Sequence, residues 1–269
     1  MIYLFAGSSQ IIVSSNNSKN QDTEMKTNTQ NPIIRLAILS FLFLSTLSCT
    51  RVYLPNAAQT VFYDNEGDAS IAAFTGTNGF DGQISYAVTD DWFVGIAGSF
   101  MNADSNKEDA TDFIRHSYYE GGFGYYSKFG SRGKYNIQGG IGRGNIETIS
   151  VYSFFGDHAV PGTGVYHKYF LQNTIGFSTS AIDLGGNVRF NYVDFQHLRI
   201  YDEIFRHQKD YFIEPTFFLR AGWKNFRYNM QCSLIFGLKR DRPFDYDWLR
   251  INMGLSYQFN IFGKSKEEY

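Results

Sequence analysis

Between residues 249 and 261 the chain alternates without a break. Leu249, Ile251, Met253, Leu255, Tyr257, Phe259 and Ile261 hold one set of positions, and Arg250, Asn252, Gly254, Ser256, Gln258 and Asn260 hold the other. Period two is the signature of a β-strand, whose successive side chains point to opposite faces. An ordinary strand stops after about 5–6 residues, whereas roughly 9–11 tilted residues cross a bilayer. The run is long enough for the second.

The three segments before it repeat the pattern. Tyr228, Met230, Cys232, Leu234 and Phe236 oppose Arg227, Asn229, Gln231 and Ser233. Ile213, Pro215, Phe217, Leu219, Ala221 and Trp223 oppose Glu214, Thr216, Phe218, Arg220 and Gly222. Val188, Phe190 and Tyr192 oppose Asn187, Arg189 and Asn191. Upstream the alternation is noisier but keeps its spacing. The pattern predicts strands over 69–75, 79–88, 92–101, 115–128, 134–146, 165–178, 182–195, 211–223, 226–237 and 248–262.

Between these segments short and long connections alternate. Thr89-Asp90-Asp91, Gly130-Ser131-Arg132-Gly133, Thr179-Ser180-Ala181 and Lys224-Asn225 are built from turn-forming residues. The stretches 102–113, 147–164, 196–210 and 239–247 are longer and more polar, and only 76–78 is short on that side. The fold class expected is therefore all-β: a transmembrane antiparallel up-and-down barrel of about ten strands, within a range of about 8–12. An even strand number returns both ends of the barrel to the side of the short turns, which in outer-membrane barrels is the periplasm.

Composition agrees. The chain carries 26 Phe, 19 Tyr and 3 Trp with 26 Gly and only 5 Pro, yet its mean hydropathy is slightly negative. Many aromatics and glycines without long apolar runs suit a barrel with aromatic girdles at its two interfaces. A net charge of −2 gives no support to nucleic-acid binding, which draws on a basic face. Two cysteines, Cys49 and Cys232, make no disulfide framework.

One apolar run is not a strand. Residues 36–48, behind Lys26 and Arg35, have the layout of a secretory signal and end at Cys49. The run is too short for a membrane helix of roughly 20 residues. A start at Met25 gives a normal basic leader, so residues 1–24 read as an over-extended frame, 25–48 as the signal peptide and Cys49 as a lipidation candidate. On this reading residues 49–67 are a periplasmic lipid-attached tether, 68–262 the barrel and 263–269 a short charged tail.

The stretches Cys49-Thr-Arg-Val-Tyr-Leu-Pro-Asn56, Gly79-Phe-Asp-Gly-Gln-Ile-Ser-Tyr-Ala-Val-Thr-Asp90, Glu120-Gly-Gly-Phe-Gly-Tyr-Tyr126, and Glu214-Pro-Thr through Arg220-Ala-Gly-Trp-Lys224 carry a resemblance. The chain resembles small outer-membrane β-barrel proteins of Bacteroidota-type bacteria that begin as predicted lipoproteins. The resemblance spans essentially the mature chain. It implies the fold, an outer-membrane location, and recognition of the aromatic end Tyr257-Gln-Phe-Asn-Ile-Phe262 by the barrel-insertion machinery. It brings no activity and no catalytic motif.

Candidate chemistry lies on the polar faces. Glu120, Arg189, Glu214, Arg220, Arg227 and Arg250 are expected to face the lumen as a charge network. A barrel of this size has an interior just wide enough for side chains, and unpaired charge there is costly, so Arg–Glu pairing in a filled lumen is the expectation. The role expected is structural, binding or accessory to an envelope complex, in contact with outer-membrane lipid, without enzymatic activity, cofactor or metal. A small solute pore is the alternative. A surface hydrolase acting on peptide or lipid A ranks third; its candidates are His116-Ser117, His158, His167, His197 and His207 with Asp241, Asp245 and Asp247 at outer strand ends and loops, but no catalytic residue is assigned. The acidic stretch from Asn102 to Asp109 lacks the ordered Ca²⁺ loop, and Gly139-Gly-Ile-Gly-Arg-Gly144 is read as glycines of a curved strand, with no following helix to make a phosphate cradle.

Overall fold

Each alternating segment hydrogen-bonds to its sequence neighbours, and the last pairs with the first. The computed structural model describes residues 51–107, 110–152, 158–223 and 225–262. Its strands are β1 (Arg51–Tyr53), β2 (Asp68–Gly76), β3 (Gly79–Ala87), β4 (Trp92–Lys107), β5 (Ala110–Phe129), β6 (Gly133–Tyr152), β7 (His158–Ser178), β8 (Ile182–Ile200), β9 (Glu203–Phe205), β10 (Gln208–Trp223), β11 (Phe226–Leu234), β12 (Phe236–Gly237), β13 (Asp245–Tyr246) and β14 (Leu249–Asn260). β2 to β8, β10, β11 and β14 form one antiparallel sheet in sequence order, joined across β8–β10. Pairing of β14 with β2 closes it into a ten-stranded barrel, so no long edge stays open.

The short turns are built as their residues suggest. Thr89 Oγ1 accepts the backbone N–H of Trp92 at 3.0 Å, and Thr179 Oγ1 accepts that of Ile182 at 2.9 Å. Strand ends at this rim match the alternation closely. At the other rim they do not. Three of the four stretches expected as long loops are largely strand, the exception being 239–247: β4 to β8 and β10 continue well past their expected ends, the longest being the 21 residues of β7. The reason is a change of surroundings. Tyr119, Ile141 and Tyr169 lie exposed on the outer wall, and beyond them the outward positions become Arg115, Ser117, Arg143, Asn145, Glu147, His197 and Arg199. The ladder persists where the apolar contrast ends.

Outside, the barrel is apolar between two aromatic rings. Trp92 meets Tyr125 (5.7 Å between ring centroids) and Phe226 meets Tyr257 (4.8 Å) near the short turns. Phe100 meets Tyr119 (6.1 Å), and Tyr192 bridges Tyr169 (5.9 Å) and Tyr211 (5.2 Å), nearer the long hairpins. The interval from Trp92 to Phe100 on β4 is about what a bilayer requires.

Inside lies the main departure from the sequence reading. Residues 49–67 were expected to be a periplasmic tether. Instead residues 52–63 are all buried, running as an extended thread down the barrel axis. β1 pairs in parallel with β13, in the long connection between β11 and β14. At the opposite rim the Glu66 amide donates to Asp90 of a short turn at 2.9 Å. The thread therefore enters at the long-hairpin rim, leaves at the short-turn rim, and turns back to begin β2. Arg51 and Phe262 consequently lie at opposite ends of the barrel; the termini themselves, expected beside the short turns, lie outside the described residues.

Candidate functional site: the occupied lumen

The thread is held along its whole length by side chains of the wall. Amide groups do most of this, because an Asn or Gln NH₂ can satisfy a buried backbone carbonyl without adding charge. Gln83 donates to the Ala57 carbonyl at 2.8 Å, Gln231 to Ala58 at 3.0 Å, Gln172 to Gln59 at 2.7 Å and Asn136 to Val61 at 3.1 Å. The Ala57 N–H donates to Asp81 at 3.2 Å. These wall residues come from β3, β6, β7 and β11, so one short thread ties together strands far apart in sequence.

Three layers are stacked along the axis. At the long-hairpin rim, Val52, Tyr53 and Leu54 form an apolar cluster with Tyr118, Ile146, Tyr166, Phe195, Leu198 and Phe244. At the short-turn rim, Val61 and Tyr63 cluster with Ala87, Phe93 and Tyr126. Between them lies an ionic layer centred on Glu120. Its carboxylate is 3.2 Å from Arg189 and 3.3 Å from Lys168, and it accepts hydrogen bonds from Tyr118 (2.7 Å) and from Asn56 of the thread (2.9 Å). Lys168 also donates to the Asn56 side-chain Oδ1 at 2.6 Å and lies 4.3 Å above the Tyr118 ring. Arg189 donates to Gln172 at 2.9 Å and stacks 4.5 Å from Phe170.

The six charges expected in the lumen are all buried there. Their partners differ from the expected Arg–Glu pairs. Only Glu120–Arg189 is of that kind. Glu214 stands opposite Arg189 in the ladder and accepts the Tyr53 hydroxyl at 2.8 Å. Arg220 faces Asp183 at 3.4 Å, Arg250 bonds Asp81, and Arg227 donates to the Gly222 carbonyl at 3.2 Å. Asp81, Asp183 and Lys168 went unnoticed in the sequence because they sit in the segments where alternation is least regular. Tyr53 and Asn56 went unnoticed because nothing local marks a thread. Cys49, the lipidation candidate, lies outside the described residues.

The glycine run on β6 also has a role beyond curvature. A Cβ on Gly142 would meet the Tyr118 hydroxyl, one on Gly144 the Tyr166 ring, and one on Gly140 the Phe170 ring. These glycines leave room for the large lumenal side chains of β5 and β7. Tyr118 and Tyr166 stack at 5.9 Å, with His116 beside both and its Nε2 2.9 Å from the Tyr166 hydroxyl. His116 thus points inward, and Ser117, the next residue on a strand, points outward. The pair is not a base and nucleophile facing one another. His207 lies 3.8 Å from Asp194, and Asp247 3.0 Å from Arg51. Burial raises the Asp247 carboxyl above its ordinary range, and the Arg51 guanidinium works against that rise. The side chain of His158 is outside the described residues.

Barrel, girdles and occupied lumen together define the class: a ten-stranded membrane β-barrel of the outer-membrane type, filled by a segment of its own chain. No protein-family model matches the chain, and no curated protein does. Solved structures it resembles include the TodX monoaromatic hydrocarbon channel, as a deltaS2 mutant, with 10% identity, a TM-score of 0.37, and coverage of 72% of this chain and 88% of that one. CarO2 of Acinetobacter baumannii gives 11% identity, a TM-score of 0.26, and 71% and 98% coverage. CarO of Acinetobacter baumannii gives 9%, 0.25, and 72% and 98%. Likeness at this level carries no functional argument.

Proposed function

We propose that the protein is an outer-membrane barrel with a structural or interaction role in the cell envelope, closed to solutes by its own N-terminal thread. One observation carries this reading: an apolar seal at each rim with a paired ionic layer between them. Displacing the thread would strip Glu120, Lys168 and Glu214 of hydrogen-bond partners inside a low-dielectric interior, where unpaired polar groups are costly.

The remaining parts of the reading follow from the barrel class. The long hairpins face outward and the short turns face the periplasm, as outer-membrane barrels are built. Outer-membrane lipid covers the apolar belt, the insertion machinery takes the aromatic last strand, and an envelope complex is the expected partner. Lipidation at Cys49 belongs to the same reading, and loss of labelled-acyl incorporation in Cys49→Ala tests it. Conductance of the purified barrel in planar bilayers tests the closed lumen. The expected trace is silent, and stable single-channel steps would replace this reading with the solute pore. Retrieval of the tagged barrel from native membranes tests the partner; its recovery alone, in stoichiometric isolation, would count against an accessory role.

A further inference from the structure

The outward positions beyond the long-hairpin tyrosines are polar, and they are also biased in charge. We propose that this band of the outer wall, from β5 to β10, binds lipid headgroups that carry a net-negative phosphate in the leaflet at the long-hairpin rim. The inference rests on the apolar belt being embedded in lipid, and it holds whichever rim faces out of the cell.

The ladder register sets the residues in rows. Ile141, Tyr169, Tyr192 and Tyr211 stand side by side on β6, β7, β8 and β10 as the girdle row. The next row outward is Tyr119, Arg143, His167, Asp194 and Lys209. Two rows further, Arg115, Glu147, Thr163 and Arg199 are neighbours. Four residues of strand advance about 13 Å, and a tilt of about 40° leaves about 10 Å of that along the membrane normal. The cations therefore span the headgroup layer, which is about 5–8 Å deep on each side of a bilayer.

The two carboxylates of these rows are already engaged. Glu147 lies 3.8 Å from Arg115, whose guanidinium also stacks 4.8 Å from Phe113. Asp194 lies 3.8 Å from His207. Arg143, Arg199 and Lys209 are exposed and make no ion pair among the described residues. On a soluble protein water would solvate such cations, but here the lipid belt begins one row below them. An arginine fork matches phosphate geometry. At the short-turn rim the exposed charges are mixed, with Asp90 and Asp91 as well as Lys128 and Arg132, so the bias belongs to one leaflet.

The wall is also shaped at this level. A depression of about 560 Å³ is lined on its outward side by Arg115, Ser117, Asn145, His197 and Arg199, with Val165 and Ile204 supplying apolar surface. Cations and neutral donors beside apolar surface suit a headgroup, whose phosphate and glycerol backbone must be accommodated together.

The test reconstitutes the full chain in nanodiscs of equal parts phosphatidylcholine and phosphatidic acid, whose headgroup is a bare phosphate. Lipids that stay bound after mild detergent extraction are counted by native mass spectrometry. Arg143→Gln with Arg199→Gln removes two unpaired arginines, and Lys128→Gln with Arg132→Gln removes the same charge at the other rim. All four residues are exposed, and heat-modifiable electrophoretic mobility verifies each barrel as folded. Phosphatidic acid is expected to be enriched on the unaltered barrel and on the short-turn variant. In the Arg143/Arg199 variant the enrichment should fall about 25-fold, about fivefold for each cation near an anionic surface. Equal enrichment in both variants, or equal loss in both, overturns the headgroup site. Displacement of the bound lipid by inorganic phosphate overturns lipid as the source of the phosphate. Quenching of Trp92, Trp223 and Trp248, all exposed, by phosphatidylcholine brominated in its acyl chains separates the two levels. Quenching without enrichment defeats the headgroup site alone, and absence of quenching defeats it through failure of the lipid belt.

Discussion

Glu120 makes more polar contacts than any other lumenal carboxylate described, with Lys168, Arg189, Tyr118 and Asn56 all on it. Removing its charge leaves two buried cations short of a counter-ion, which costs about 3–5 kcal/mol in comparable settings. Glu120→Gln is therefore expected to lower the unfolding free energy of the detergent-folded barrel, read from urea titration, by that order, whereas a change under about 0.5 kcal/mol would mean the layer is solvated. Arg250 and Asp81 offer a cleaner measurement. Asp81→Asn and Arg250→Met each strand one partner, and the double variant strands neither, so it should be more stable than the sum of the single losses. A double-mutant cycle with zero coupling would remove this pair from the account of stability.

At the scale of the strand, the two faces should respond oppositely to the same chemistry. Ile96 faces outward midway between Trp92 and Phe100, and an arginine at mid-membrane depth costs about 2–4 kcal/mol, falling to about 0–1 near the interface. Ile96→Arg should thus be markedly destabilising and Asn145→Arg nearly neutral in lipid-refolding measurements. Equal costs would show that the membrane does not end where the outward residues turn polar. On the inner face, Gly142→Val forces a side chain into the Tyr118 hydroxyl, and overpacking of that kind costs about 1–3 kcal/mol.

For the whole molecule the question is whether the thread ever leaves. If it is released only when the barrel opens, the Ala57 amide, bonded to Asp81, exchanges its hydrogen as slowly as the ladder amides of β10 and β11. Hydrogen exchange in detergent or nanodiscs reads this directly. Fast exchange of thread amides beside protected strands would describe a gate rather than a plug, because local openings need far less free energy than global ones.

The alternation from Tyr211 onward, the turn residues at Thr89 and Thr179, and the aromatic positions were legible because lipid outside and polar side chains inside write opposite preferences onto neighbouring residues. That contrast is local, so period two survives in the sequence. Beyond the girdle the outward positions turn polar while inward ones such as Ile146, Leu198 and Ile200 turn apolar, so in β5 to β8 the contrast reverses in mid-strand and the signature is blurred although the hydrogen bonds continue. The thread left no pattern at all, since residues 52–63 are buried and touch wall residues as far as 173 positions away. One trace existed in Phe218, an aromatic ring on an otherwise polar face, which proves to lie 5.7 Å from Phe62 of the thread. The sequence by itself determined a membrane barrel and which side chains face inward. Only the tertiary structure decided that the lumen is filled by the chain's own N-terminal segment, which charges pair across it, and at which rim that segment begins, because those depend on contacts across a closed cylinder that no local preference encodes.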